Sequence, residues 1–213
     1  MKRARTPFLV RSALGVALTA AFAAVAAFAA TPLRAATWQA DPAHSSVGFS
    51  VKHLMVSTVR GTFGTFTATV EGDPSDPATA RIDATIQVGS VDTREPKRDA
   101  HLKSADFFDA ADYPTMTFVS RKVEKTGDGR ARVTGDLTIR GVTKPVTLDV
   151  EYTAPVKDAW GGTRVGATAT ATIDRQDFGV KWNKSLDAGG VMVSDQVKIQ
   201  LDLELVEKKA APK

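Results

Sequence analysis

The chain has 213 residues, 28 of them basic and 24 acidic, and contains no cysteine. That length allows one domain or two small ones. The lack of cysteine excludes thiolate metal sites, thiol catalysis and a disulfide framework. The net charge of +4 is unevenly spread: residues 1–36 hold five basic side chains and no acid, leaving 23 bases against 24 acids in the remainder. A body so close to neutral has no overall attraction to nucleic acid.

The leading segment has its own character. Lys2, Arg3, Arg5 and Arg11 form a basic start, Ser12 to Ala30 is uncharged and rich in Ala, and Thr31-Pro32-Leu33-Arg34-Ala35-Ala36 follows. This order reads as a secretory signal peptide. A permanent membrane anchor is the competing reading, because the uncharged run approaches spanning length. The dominance of Ala, which adds little to membrane insertion, favours the signal peptide. Cleavage after Ala29, Ala35 or Ala36 each agrees with the sequence. The expected organisation is therefore a signal peptide over 1–36, a body over 37–207 with no permanent membrane span, and a frayed tail over 208–213.

Along the body the dominant signal is alternation with a period of two, the mark of half-buried strands. Val47, Phe49, Val51 and His53 share one face, opposite Ser46, Ser50 and Lys52. A Thr- and Phe-rich strand runs from Gly61 to Val70. Ile82, Ala84, Ile86 and Val88 form the next apolar face. Residues 94–109 break the pattern: they are charged, Pro96 suits a first helical turn, and Leu102, Ala105 and Phe108 recur at helical spacing. This segment reads as a short helix and loop over one end of the sheet. Met116 and Phe118 resume the alternation, although Val119 falls on the polar side. Three further faces are Ala131 to Ile139, Val146 to Val150 and Val165 to Ile173, and Val197 to Leu205 is the last. Gly-, Asp- and Pro-rich turns separate these runs, as hairpins require. About eight strands with one apolar face each give an all-β fold, an antiparallel barrel or sandwich.

The catalytic inventory is thin. No nucleophile elbow, phosphate-binding loop or His-Glu-x-x-His motif occurs. Asp106, Asp109 and Asp112 have the loop positions of turn-capping carboxylates. His44, His53 and His101 are the only histidines, and their spacing shows no metal-ligand pattern. Strand parity places His53 inward, where it would meet either a ligand head group or a backbone carbonyl. No metal or cofactor is expected.

The inward set is the informative one. It comprises Phe49, Phe63, Phe66, Ile82, Ile86, Met116, Phe118, Val133, Leu148, Val165, Ala167, Ala169 and Ile199. Pattern alone is compatible with a solid core and with a cavity. An eight-stranded barrel is wide enough for one small ligand, and the small residues Ala167, Ala169 and Ala171 on one strand would leave room for it.

Four segments in order then resemble the YceI family of periplasmic, lipocalin-like lipid-binding proteins. The first is Asp41-Pro42-Ala43-His44-Ser45-Ser46-Val47-Gly48-Phe49-Ser50-Val51-Lys52-His53-Leu54, followed by Arg60-Gly61-Thr62-Phe63. The second is Ser90-Val91-Asp92-Thr93, then Arg98 to Phe108 and Tyr113-Pro114. The third is Gly135-Asp136-Leu137-Thr138-Ile139-Arg140-Gly141-Val142-Thr143-Lys144-Pro145-Val146. The fourth is Trp160-Gly161-Gly162 with Arg175-Gln176-Asp177-Phe178-Gly179.

The resemblance implies an extended eight-stranded antiparallel barrel with a helix near one end. It implies an apolar pore for a polyisoprenoid chain, such as a quinone tail or polyprenyl phosphate, and a periplasmic location. Some relatives are thought to hold other amphiphiles, including long fatty amides. The implied lining is Phe49, Val51, His53, Phe63, Phe66, Ile82, Ile86, Phe118, Val133, Leu148, Val165, Ala167, Ala169 and Ile199. His53 or Arg94 would orient a head group, and the Lys181–Ser194 segment would line an entrance. The implied role is carrying or sequestering lipid, without catalysis. A partner-binding barrel with a solid core, or an enzyme acting on a lipid at the pore mouth, are the alternatives. A homodimer paired through the barrel rim is compatible with the sequence.

Overall fold

The computed structural model describes residues 36–73, 76–186 and 189–208. The leading segment read as a signal peptide lies outside these residues, apart from Ala36. Twelve strands form one sheet: β1 (Ala36–Ala40), β2 (Ser46–His53), β3 (Ser57–Phe63), β4 (Phe66–Asp73), β5 (Asp76–Gln87), β6 (Val91–Asp92), β7 (Thr115–Gly127), β8 (Arg130–Ile139), β9 (Val142–Tyr152), β10 (Val156–Lys157), β11 (Thr163–Asp174) and β12 (Val193–Lys208). Three pairs are single long strands with a break. A 3-10 turn at Pro42–His44 separates β1 from β2, Gly64-Thr65 separates β3 from β4, and Val88–Ser90 separates β5 from β6. β12 pairs with β11 along one edge and with β2 and then β1 along the other, which closes the sheet. With each broken strand counted once, the fold is the expected eight-stranded antiparallel barrel, and β10 is an added flap on β11.

Alternation puts the core inside. Val133, Leu137, Val146 and Leu148 are buried, while the residues between them on β8 and β9 reach the outer surface. In β7 a bulge between Ser120 and Lys122 shifts the phase, so Val123 turns inward after Met116 and Phe118. Without that extra residue Val123 would face solvent.

The non-barrel segment caps one end. Helix α1 spans Pro96–Lys103, with Pro96 at its start, and the Glu95 carboxylate accepts from the Lys97 and Arg98 N–H groups. The helix stops at Lys103, where the Ser104 hydroxyl donates to the His101 carbonyl. Ala105 and Phe108, expected to extend the helical face, lie in the turns that follow.

Three other boundaries differ from expectation. Gly61–Val70 holds parts of two strands, because Gly64 and Thr65 leave the ladder to bond Ser90. The strand around Trp38 is too short to alternate visibly. Lys208 pairs with Thr37 and so belongs to the barrel, and Ala36 pairs with Gly72, so cleavage after Ala36 would remove the first residue of β1. Residues 209–213 lie outside the described part.

Candidate functional site

The barrel encloses a cavity of about 470 Å³ along its axis. That is within the range of small-molecule sites and far larger than a packing void. On β12 the lining runs from Val193 to Leu205, which spans roughly 25–30 Å along the axis at about 3.3 Å per residue and about 40° of tilt. The cavity is therefore a long narrow bore. All fourteen residues that the sequence places on the lining stand on its wall.

Two glycines shape the bore. Phe49 sits opposite Gly61 on β3, and Phe118 lies diagonally across from Gly135 on β8. A Cβ at either glycine would collide with the facing phenyl ring. The rings therefore lie against the wall, where they would otherwise cross the bore. On β11, Ala167 and Ala169 stand beside Leu203 and Leu201 of β12, and their short side chains leave that side of the bore free.

Polar groups gather at the ends. Beneath the cap, the His101 ring meets Phe107 and Trp182 edge-on, with centroids 4.9 and 4.8 Å away, and its Nε2 lies 2.8 Å from Asp106 Oδ2. Arg98 donates from Nε and Nη2 to the Thr93 hydroxyl and carbonyl, both at 2.8 Å. His53, Arg98, His101, Trp182, Met192 and Val193 all reach the cavity wall. Arg94 does not. It is exposed, with φ of 64° in the turn before α1, and its N–H donates to Asp92. The arginine that reaches the bore is Arg98, in the first turn of α1.

Arg175 was legible only as part of a motif. It is 5 % exposed and ties the β11–β12 connection together. Its guanidinium donates to the carbonyls of Val180 (2.6 Å), Trp182 (2.9 Å), Ser194 (3.0 Å) and Val193 (3.4 Å), and to Asp195 Oδ1 (3.0 Å). Burial pushes its pKa down, and the Asp195 and Asp174 carboxylates oppose that shift. Through these bonds it fixes Trp182 and Val193 at the cavity wall.

A second polar cluster lies where β1 breaks into β2. Arg164 donates to Asp158 (2.8 Å), Asp41 (3.2 Å) and Glu204, and the His44 ring bonds Asp41 at 2.9 Å. The His44 hydrogen bond holds Asp41 below its ordinary pKa, and the same contact raises His44. Asp158 is lowered by its hydrogen bond from Arg164, and the Arg164 pKa is raised chiefly by Asp158. Asp41, His44 and Glu204 are the one trio among the described residues close enough to share a cation. The Arg164 guanidinium already supplies positive charge there. His53 and His101 belong to no such group.

Comparison with known proteins agrees with this geometry. The family model for the YceI-like domain matches residues 38–205. The UPF0312 protein SAS2572 of Staphylococcus aureus is 42% identical over 165 residues, which cover 77% of this chain and 94% of that protein. Among solved structures, Burkholderia cenocepacia BcnA is similar with a TM-score of 0.69 and 30% identity, over 78% of this chain and 98% of its own. A polyisoprenoid binding domain from Saccharophagus degradans shares the fold at a TM-score of 0.57 and 13% identity, over 80% of this chain and 98% of its own. With nearly the whole barrel matched in this way, the chain belongs to the YceI-like domain family.

Proposed function

We propose that this barrel binds one long apolar chain, an isoprenoid of the quinone or polyprenyl type, and carries or sequesters it in the periplasm without catalysis. The observation that carries this reading is the bore itself, narrow and apolar through its middle, with polar groups confined to its ends. A solid-core barrel would leave no such space. The polyisoprenoid binding of the Saccharophagus domain supports the same cargo class. Each methylene moved from water into the bore contributes about 0.8 kcal/mol. A dozen would contribute roughly 10 kcal/mol before ordering costs. Binding of this kind selects length and apolarity.

The test is native mass spectrometry of protein purified without detergent from the cell envelope, followed by solvent extraction and identification of the lipid. The expected result is a stoichiometric isoprenoid, lost when Ala169→Trp fills the bore. A protein that carries no lipid and takes up neither quinone nor polyprenol would overturn the reading. A fatty amide in the bore would keep the carrier role and replace the cargo.

A further inference from the structure

The turn joining β2 to β3 has an unusual composition. A β-turn of the I′ type needs positive φ at both central positions, which Asn-Gly meets without strain. Here Leu54 and Met55 occupy them, with φ of 53° and 58°, and the Val56 N–H closes the turn on the His53 carbonyl. Side chains of this size are rare in the left-handed region. Leu54, Met55 and Val56 are 38, 61 and 84 % exposed. The backbone thus accepts strain while three successive apolar side chains face outward. Strain of this sort concentrates at functional positions.

The tip stands at the bore. His53, directly before it, lines the cavity, and Leu54 N–H donates to the carbonyl of Met192, another lining residue. Four cations near it lack an acidic partner among the described residues. Lys52, Arg60 and Lys198 lie on the outer faces of β2, β3 and β12, with Ser50 paired to both Arg60 and Lys198. Lys184 is joined to the same corner, since its carbonyl accepts from Met192 N–H. All four are exposed, and none forms an ion pair among the described residues. The neighbouring carboxylate of Asp195 is taken by Arg175. On β7, β8 and β9, by contrast, Arg121, Lys122, Arg130 and Arg132 each have an acidic partner.

We infer that the Leu54–Val56 tip inserts into the interface of an anionic bilayer, with Lys52, Arg60, Lys184 and Lys198 on the headgroups. An apolar tip ringed by unpaired cations is the chemistry that such an interface recognises. Docking this way turns the mouth of the bore to the lipid, so that an apolar chain passes between membrane and barrel without crossing water. The inference rests on the lipid-carrier reading for its purpose, but the docking surface can be tested separately.

The test is flotation of the protein with phosphatidylcholine vesicles made with and without phosphatidylglycerol. Binding of a soluble short-chain quinone is measured in parallel, and folding is checked by circular dichroism. The expected result is binding to the anionic vesicles that weakens as salt rises. Lys52→Gln with Lys198→Gln should weaken it roughly 25-fold, at about 1 kcal/mol per cation. Met55→Ser and Val56→Ser should each cost about tenfold. All should leave quinone affinity unchanged. Trp160→Ala, in the loop before the opposite end of β11, should leave vesicle binding intact. Absence of vesicle binding, equal binding by the tip variants, or loss through Trp160→Ala would each overturn the inference. So would a concentration-dependent dimer abolished by the tip variants, which would make the tip a contact between copies. Vesicle binding without quinone binding would sink the carrier reading and leave the docking surface standing.

Discussion

Two walls of the barrel follow the same alternation and do different work. On β7, β8 and β9 the inward residues Val123, Val133, Leu137, Ile139, Val146 and Leu148 are all at most 9 % exposed. Their outer faces are laced by cross-strand pairs such as Arg132–Asp149, Thr134–Thr147 and Thr138–Thr143. Across the barrel, Val47, Val51, Val197, Ile199 and Leu201 on β2 and β12 point inward yet are only half-buried. They face the bore more than they face one another. Both walls line the bore, but the first is the more closely packed and the second leaves more of its inward surface open to it. A sheet can divide its labour in this way because each strand is held by its backbone ladder whatever its side chains meet.

The largest expected effect comes from the anchor of the open wall. Arg175 satisfies four backbone carbonyls that have left the ladder between β11 and β12. Arg175→Met would orphan the Val180, Trp182 and Ser194 carbonyls, while Val193 keeps its bond from Asn183 Nδ2, at a cost of about 3–5 kcal/mol. Hydrogen exchange should show the 179–194 segment opening before the β7–β9 wall. Arg175→Lys should recover only part of the loss, because an ammonium cannot reproduce the guanidinium fork. Uniform loosening of both walls would show that the anchor serves the whole barrel, and the division drawn above would fail.

The comparison sharpens with one truncation in each wall. Leu148→Ala should cost about 2–5 kcal/mol in urea unfolding, the usual range for a leucine enclosed by neighbours. Ile199→Ala should cost about 1 kcal/mol in the lipid-free protein, because part of its surface already faces the bore. The same change should weaken cargo binding by more than Leu148→Ala does. Equal stability costs at the two positions would mean that both walls are packed alike.

Much of this architecture is readable from alternation. Strand parity puts twelve of the fourteen lining residues inward once their strands are recognised, but Phe63 and Phe66 fall on opposite faces of a single strand over 61–70 and both turn inward only because Gly64 and Thr65 break it. The bulge in β7 is invisible to that logic, since Ser120 and Lys122 look like ordinary outward residues. Trp38 sits in a strand of five residues, where no window is long enough to show a pattern. The distinction between solid core and bore escapes the pattern as well. It depends on whether Phe49 and Phe118 cross the interior or lie flat over Gly61 and Gly135, and that is settled by contacts between strands distant in sequence. Arg175 and Trp182 belong to a loop whose order comes from side chain to backbone bonds, which carry no periodic signal.

The smallest expected effect concerns the seam of the open wall, where the Pro42–His44 turn separates β1 from β2. Arg164, Asp41, Asp158, Glu204 and His44 hold that seam from outside. The His44 pKa is raised from 6.5, so its contribution is complete below 6.5 and fades as pH rises through the higher folded value. The Asp41 pKa is lowered from 3.8, so its contribution is complete above 3.8 and fades as pH falls through the lower folded value. Both are therefore present together between pH 3.8 and 6.5. The difference in Tm between the natural protein and His44→Gln should be greatest in that window and shrink towards zero in more alkaline buffer. Its size should be modest, because the His44 side chain is 63 % exposed and solvent screens the pair. A Tm difference that persisted undiminished at alkaline pH would mean that His44 holds the seam as a neutral hydrogen-bonding ring, and the open wall would then owe its closure to shape and not to charge.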